Sequence, residues 1–476
     1  MKLWNKIAAV FCLANIAGTS LSVTNANAES IMPEQVIQKA FGNHGGHGEV
    51  FSVFESVTED YSIVGTTIRK NPQKPSSYIS SLVYTNILAD GSVLVDKMFG
   101  GAPFLDVYAA AQGKDGTVFV YGINGLTPFS DKNDVWLLAI EKSGKLIWRK
   151  PIPGGSDASA ANLYVDSNGV IRLIREIDLN ARKTVQLTSF DSAGNVTAQK
   201  EIYDAQKKGQ LHFLTDKNWG SKFYLVHISE GSLLIQQLGS NGSLHWEETL
   251  PFSKAKIGNS VVASATDHEN FLMTIKSGQP NLDFETLKYS ASNLSSYIFR
   301  ISPNKTIKAK QVFTSFSEIF GAEGYGDEDV TLFANEYRIP QAKDFKYAER
   351  FKNGVLSMQQ KWNFIADPQT LKPNTVFHDT MIEAVDTSPG YDPIIFGTYV
   401  TEAAPPAKDY KSFLVNRMIS FSSQHAKSAK LISLFEAYQF SSRTSNGNII
   451  LITQAGPQSK LHGPVFRRFT DWGINQ

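Results

Sequence analysis

Four clusters in this 476-residue chain bring together side chains that could do chemistry. His44–Gly45–Gly46–His47 sets two imidazoles across a Gly-Gly pair, with Glu49 just beyond. Neutral imidazole and carboxylate are ordinary ligands for a divalent cation. This spacing matches no ordered metal motif, however, and a glycine-rich connection with two exposed histidines is the simpler reading. Gly326–Asp327–Glu328–Asp329 gathers carboxylates suited to calcium, yet lacks the staggered ligand register of a calcium loop and falls between two strand-like runs. Asp131 and Asp134 flank one turn, and Asp267 and Glu269 flank His268 at another. Paired carboxylates do acid–base work only when held at a fixed distance across a bond. In hairpins they more often shape the turn. The chain contains no G-x-S-x-G elbow and no P-loop. No catalytic set, metal site or cofactor is expected.

The second chemical resource is aromatic: 30 Phe and 17 Tyr, most at alternating positions that read as core. Phe284 and Tyr289 fall in a long polar connection from Gly278 to Ser296, and Phe345 and Tyr347 in another from Ile339 to Gly354. Aromatic side chains on loops at one mouth of a rigid scaffold form surfaces that bind protein or glycan. These four residues are the expected partner-binding set.

The elements that must position them are repeated hairpins. In Asp134–Gly155, apolar residues alternate through Val135–Ile140, Ser143–Gly144 turns the chain, Lys145–Lys150 runs back, and Gly154–Gly155 ends the unit. Degenerate copies recur. Val50–Val57, Tyr61–Thr66, Tyr78–Leu88 and Val93–Phe99 make one unit of four strands, with a loop between the second and third. Further units span about 104–155, 158–204, 210–252, 258–315, 316–378 and 379–434. The last supplies only Tyr438–Arg443, Asn448–Thr453 and Pro464–Phe469, while Glu34–Gly42 resembles a spare fourth strand.

Repeats of this length with four short strands predict an all-β chain, a single β-propeller of four-stranded blades. A ring closed by the N-terminal strand completing the C-terminal blade accounts for both leftovers and removes exposed sheet edges. Eight blades over 448 residues average 56 residues each; seven, the alternative, would average 64 and need longer loops. The expected organisation is a cleaved signal at 1–28, a segment with the closing strand at 29–48, the propeller at 49–471 and a tail at 472–476.

The unit resembles the repeat of secreted bacterial β-propellers of the PQQ-like, quinoprotein-type superfamily, carried by Asp134, Trp136, Leu137, Gly144, Trp148, Gly154 and Gly155. Those residues are structural, so the resemblance implies a fold and no reaction. The chain departs from the quinoprotein dehydrogenases in having few, unevenly placed Trp and no adjacent cysteines.

Lys2 and Lys6, the apolar stretch Ile7–Ala17 and the Ala26–Asn27–Ala28 ending read as a secretory signal. The only cysteine, Cys12, lies inside it, preceded by Val10–Phe11 rather than the small residue a lipoprotein signal needs. Removing Lys2 and Lys6 takes the formal charge from +1 to −1, which argues against nucleic acid as partner. No later apolar run is long enough for a transmembrane helix. The expectation is a periplasmic or secreted monomer, non-enzymatic, whose partner is an envelope or secreted protein or a glycan. An enzyme cleaving glycans or peptides at the central channel is the alternative.

Overall fold

The computed structural model describes residues 35–41, 47–125, 134–152, 161–179, 182–204, 209–215, 222–229 and 232–251, the strands named below from 257 to 434, and residues 436–455 and 463–470. They fall into two compact units, Gln35–Val261 with Gln439–Phe469, and Val262–Tyr438.

All regular structure among the described residues is β. A first strand, β1 (Gln35–Ala40), precedes a sheet of β2 (His47–Glu55), β3 (Tyr61–Asn71), β4 (Lys74–Ile87) and β5 (Val93–Ala102). The next holds β6 (Phe104–Gln112), β7 (Val118–Gly125), β8 (Asp134–Ile140) and β9 (Leu146–Pro151). Then come β10 (Ala161–Val165), β11 (Ile171–Leu179), β12 (Arg182–Phe190) and β13 (Val196–Asp204). They are followed by β14 (Gly209–Thr215), β15 (Lys222–Ser229), β16 (Ser232–Gly239) and β17 (Leu244–Pro251).

In the second unit, β18 (Ile257–Ala265) and β19 (Phe271–Ser277) lead through a small hairpin, β20 (Asn281–Asp283) and β21 (Lys288–Ser290), to β22 (Ser295–Ile301) and β23 (Ile307–Phe313). Next are β24 (Ser317–Tyr325), β25 (Asp329–Glu336), β26 (Phe345–Lys352) and β27 (Val355–Trp362). Another sheet comprises β28 (Thr375–Asp386), β29 (Ile394–Ala403), β30 (Ser412–Ser420) and β31 (Leu431–Leu434). The chain then forms β32 (Glu436–Arg443), β33 (Ile449–Ala455) and β34 (Pro464–Phe469).

Among the described residues these strands make eight four-stranded sheets in sequential order, and every pairing between them with a described register is antiparallel. The architecture is that of a β-propeller built from four-stranded antiparallel blades. As the spare fourth strand predicted, β1 adds to β34, pairing Ala40 with Val465 and Lys39 with Phe466. That sheet therefore joins residues 35–40 to residues 436–469.

Two details differ from the sequence expectation. The loop expected after Thr66 shrinks to a turn, because β3 and β4 continue pairing to Asn71 and Lys74. Two prolines are accommodated where ladder donors are not needed: Pro72 in the turn, and Pro75 in the stretch where the register shifts. The strand expected over Val93–Phe99 is also longer, since β5 runs on through Gly100–Gly101 to Ala102.

Within the first unit, alternation becomes packing between consecutive sheets. Ile37 and Phe41 close the seam between the β1/β32–β34 sheet and Tyr61, Ile63 and Ile87. Val64, Leu82 and Tyr84 meet Val107, Trp136 and Leu138 across the next seam. Leu137 and Ile123 meet Leu163 and Leu173, and Val185 and Leu187 meet Phe223 and Leu225.

One five-residue turn recurs through this unit, at residues 88–92, 113–117, 141–145, 166–170, 191–195, 239–243 and 444–448. The amide of the first residue bonds the carbonyl of the fifth, and the amide of the fourth bonds back to the first. That geometry needs a left-handed fourth residue, and all seven turns place glycine there. In the eighth copy, residues 56–60, the position is Glu59, at φ 57°.

These turns also gear the sheets together. Gly91 sits over Ile37, Gly144 over Val95, Gly194 over the Trp148 ring and Gly242 over Ile202, each so close that a Cβ would approach to under 3 Å. Under three of these turns the strand also donates to the turn: Lys97 Nζ to Gly144 O at 3.2 Å, Trp148 Nε1 to Ser192 O at 2.9 Å, and Lys200 Nζ to Gly242 O at 3.0 Å.

Candidate functional site at the loop-bearing strand ends

In a four-stranded antiparallel meander, the first-to-second and third-to-fourth connections share one end, and the second-to-third connection lies at the other. All eight copies of the tight turn occupy the first kind of end. The second-to-third connections vary in length: residues 72–73, 180–181 and 230–231 join their strands directly, whereas residues 126–133, 278–294, 337–344, 404–411 and 456–463 separate the strands they join. Recognition residues concentrate where a rigid scaffold carries its variable connections.

At this end of the first unit, β2 and β6 lie near their first residues and β7 near its last. Glu49 of β2 is exposed, and Asp106 of β6 is half-buried. Burial pushes the Asp106 carboxyl up from the ordinary carboxylate range; the Val107 amide, donating to Oδ1 at 2.8 Å, opposes this, and the charge of Glu49 adds to it. The two carboxylates come from the first strands of neighbouring sheets. A carboxyl raised by burial next to a second carboxylate is the kind of arrangement from which acid–base pairs are built.

Behind them, Gly122 leaves room for the Trp136 ring: a Cβ there would lie 2.7 Å from that ring and 2.4 Å from the Asp106 carbonyl oxygen. Trp136 is buried, and Arg149 lies 5.4 Å from its ring centroid while donating to Asn124 Oδ1 at 2.5 Å. This cation–π contact is worth about 0.5–1 kcal/mol where exposed. On the chain-end sheet, Gln439 Nε2 donates to Gly48 O at 2.6 Å, pinning the start of β2.

The sequence-expected residues distribute unevenly. Tyr289 lies in β21, opposite Leu282 in the small hairpin, and Phe284 lies outside the described residues. Phe345 and Tyr347 are not in a loop: they are the first and third residues of β26, opposite Glu336 and Ala334, and Tyr347 also faces Lys361 of β27 in register. Charged residues interrupt the alternation of Phe345, Tyr347 and Phe351 and disguise a strand. The Gly278–Ser296 connection is likewise partly ordered, as β20 and β21. His47 and Glu49 belong to β2, not to a connection, and His44 lies outside the described residues. Asp134 and Asp329 each begin a strand; Asp131, Asp267, His268, Glu269 and residues 326–328 lie outside the described residues. Among the described residues no group of three His, Cys, Asp or Glu gathers as a metal site would require.

Asp106 and the Arg149–Trp136 pair went unnoticed in the sequence. The one available signal was a lone carboxylate inside the apolar run Phe104–Ala111.

No family model and no curated protein matches the chain. Among solved structures it is similar to one described as the Dos1 propeller, at 8% identity over 92% of this chain and 95% of that one, TM-score 0.46. It is similar also to apo prolyl oligopeptidase B from Galerina marginata, 9% identical over 87% of this chain and 56% of that one, TM-score 0.43. A third likeness is to a prolyl endopeptidase, 10% identical over 87% and 55%, TM-score 0.42. The chain thus spans little more than half the length of these two peptidases, and the likenesses assign it no activity.

Proposed function

We propose that this chain is an exported, non-enzymatic β-propeller that binds a protein partner in the cell envelope through the connections at the ends opposite its tight turns. The observation that carries this reading is the asymmetry of the blades. In the first unit eight of the nine connections at one kind of end are the same five-residue turn, residues 216–221 being the exception, and the other kind of end carries second-to-third connections of two to eight residues. A fixed frame with one variable end suits recognition and needs no cofactor. The proposed ring has eight blades and closes through β1. Export and a periplasmic or secreted location rest on the signal-like residues 1–28.

The test is affinity capture from envelope extract with purified residues 29–476. Phe284→Ser with Tyr289→Ser is the control for the 278–294 connection. Phe345 and Tyr347 stay intact, because they lie in β26 of a four-stranded sheet, where substitution confounds binding with folding. A partner captured by the parent and lost from the control supports the reading; absence of any specific partner sinks it.

The second reading, an enzyme cleaving glycans or peptides, is favoured by the Asp106–Glu49 pair alone. It requires hydrolysis that Asp106→Asn abolishes while the protein stays folded.

A further inference from the structure

Three of the chain's Asn-Gly pairs occupy the third and fourth positions of the recurrent turn: Asn168–Gly169, Asn241–Gly242 and Asn446–Gly447. An asparagine before glycine is open to intramolecular attack, since no Cβ obstructs the following nitrogen. The Gly nitrogen bonds to the Asn Cγ, the Cγ–Nδ2 bond breaks, and ammonia leaves with the proton of the Gly nitrogen. Water then opens the succinimide at either carbonyl, giving aspartate or isoaspartate. The step needs only water and no change of oxidation state.

These three sites share one backbone geometry, so differences among them come from what holds the carboxamide. Asn446 is held on both sides. Its Oδ1 accepts from Thr444 Oγ1 at 2.5 Å and Asn448 Nδ2 at 3.1 Å, and its Nδ2 donates to Glu59 Oε1 at 2.9 Å. Asn241 Oδ1 accepts the Ser243 amide at 2.9 Å, and Gly242 is packed against Ile202 and Leu187. A fourth pair, Asn124–Gly125, lies at the end of β7, where Arg149 holds Asn124 Oδ1.

Asn168 differs for a reason visible in its own turn. Asp166, at the first position, accepts the amides of both Asn168 (2.9 Å) and Val170 (3.0 Å) on its Oδ1. In three other turns the fifth-position amide is capped by the third-position side chain: Asp90 caps Ser92, Asp115 caps Thr117 and Asn241 caps Ser243, whereas Asp191 caps Asn195 from the first position as Asp166 does. Asp166 takes that duty over and leaves the Asn168 carboxamide with no hydrogen bond among the described residues. Asn168 and Gly169 are both exposed, and nothing lies within 4 Å of where a Gly169 Cβ would be.

We infer that Asn168 is a self-modification site, converting through a succinimide to aspartate and isoaspartate ahead of Asn241 and Asn446. The product places a new negative charge beside Ser167, whose carbonyl accepts from Lys114 Nζ of the neighbouring sheet at 3.0 Å.

The test is to hold the folded protein at mildly alkaline pH and follow the amide-to-acid mass change in the peptides holding Asn168, Asn241 and Asn446. Each retained hydrogen bond adds about 1 kcal/mol to the barrier, so conversion at Asn168 should outrun that at Asn446 by about tenfold or more. In urea the three should converge. Equal rates in the folded protein, or Asn446 or Asn241 converting first, overturn the inference. Thr444→Ala, which removes one bond from Asn446, should raise conversion there; no change would show that hydrogen bonding does not set the order.

Discussion

Glu59 holds the left-handed position of its turn at φ 57° and accepts Arg468 Nη1 on Oε2 at 3.2 Å, tying the first turn of the β2–β5 sheet to β34. Its other oxygen accepts from Asn446 Nδ2 at 2.9 Å, and Glu55 Oε2 accepts the Ser445 amide at 2.7 Å. A conformation costing a non-glycine residue about 1–2 kcal/mol is thus retained at the seam where residues from the two ends of the sequence share a sheet. Glu59→Ala keeps the backbone cost and loses both contacts, so stability should fall by about 1–2 kcal/mol. Glu59→Gly loses the same contacts but relieves the backbone, and should lie about 1 kcal/mol above the alanine variant. Urea midpoints of the two variants decide this; alanine matching the parent would mean the contacts contribute nothing.

Gly122 and Gly169 separate crowding from backbone conformation. Gly122→Ala would drive a Cβ to 2.4 Å from the Asp106 carbonyl and 2.7 Å from the Trp136 ring, both backed by packed structure. Overpacking of this kind costs about 1–3 kcal/mol. Gly169→Ala meets nothing within 4 Å and carries only the cost of φ +80°, about 1 kcal/mol. Thermal denaturation should rank Gly122→Ala below Gly169→Ala, and the reverse ranking would contradict the packing seen around Trp136.

Asp60 makes the seam between the β2–β5 and β6–β9 sheets sensitive to acid. Burial alone would raise its carboxyl. The hydrogen bonds from Lys142, Thr58 and the Ala89 amide, with the Lys142 charge, outweigh burial and hold it below the usual carboxylate range. A folded-state pKa below the unfolded one contributes stability that is complete above about pH 4 and is lost as pH falls through the folded value. Replacing Asp60 by Asn should flatten the acid limb of a stability–pH curve below about pH 4. Parallel acid limbs for parent and variant would refute this role.

Asp106 works in the opposite sense. Burial first, and then Glu49, raise its carboxyl, so its contribution to stability is fully present below the unfolded pKa and lost as pH rises through the folded one. Asp106→Asn keeps an acceptor for the Val107 amide and removes the charge. It should stabilise the protein at neutral pH, with the gain fading below about pH 4. A loss of stability at neutral pH would mean that the charge is compensated by a partner.

Local periodicity was enough to read most of the strands and the tight turns, because alternation and a glycine at a fixed step are properties of consecutive residues. It also matched Glu34–Gly42 to Leu146–Lys150, and so anticipated β1 as the fourth strand beside β34. It failed where polar residues mask a strand: the third-strand stretch from Phe345 to Lys352 and the extended hairpin through Asn71 and Lys74. Composition there imitates a loop, while pairing with a neighbouring strand overrides it. Beyond the reach of sequence lay every relationship set by how one sheet stacks on the next: Glu59 with Arg468, Asp60 with Lys142, and Asp106 with Glu49. Such pairs depend on the stagger between sheets, which is decided by the gearing of turn glycines against strands such as Ile37, Val95 and Trp148. That stagger is a sum of many contacts between residues far apart in the chain, and no short stretch encodes it.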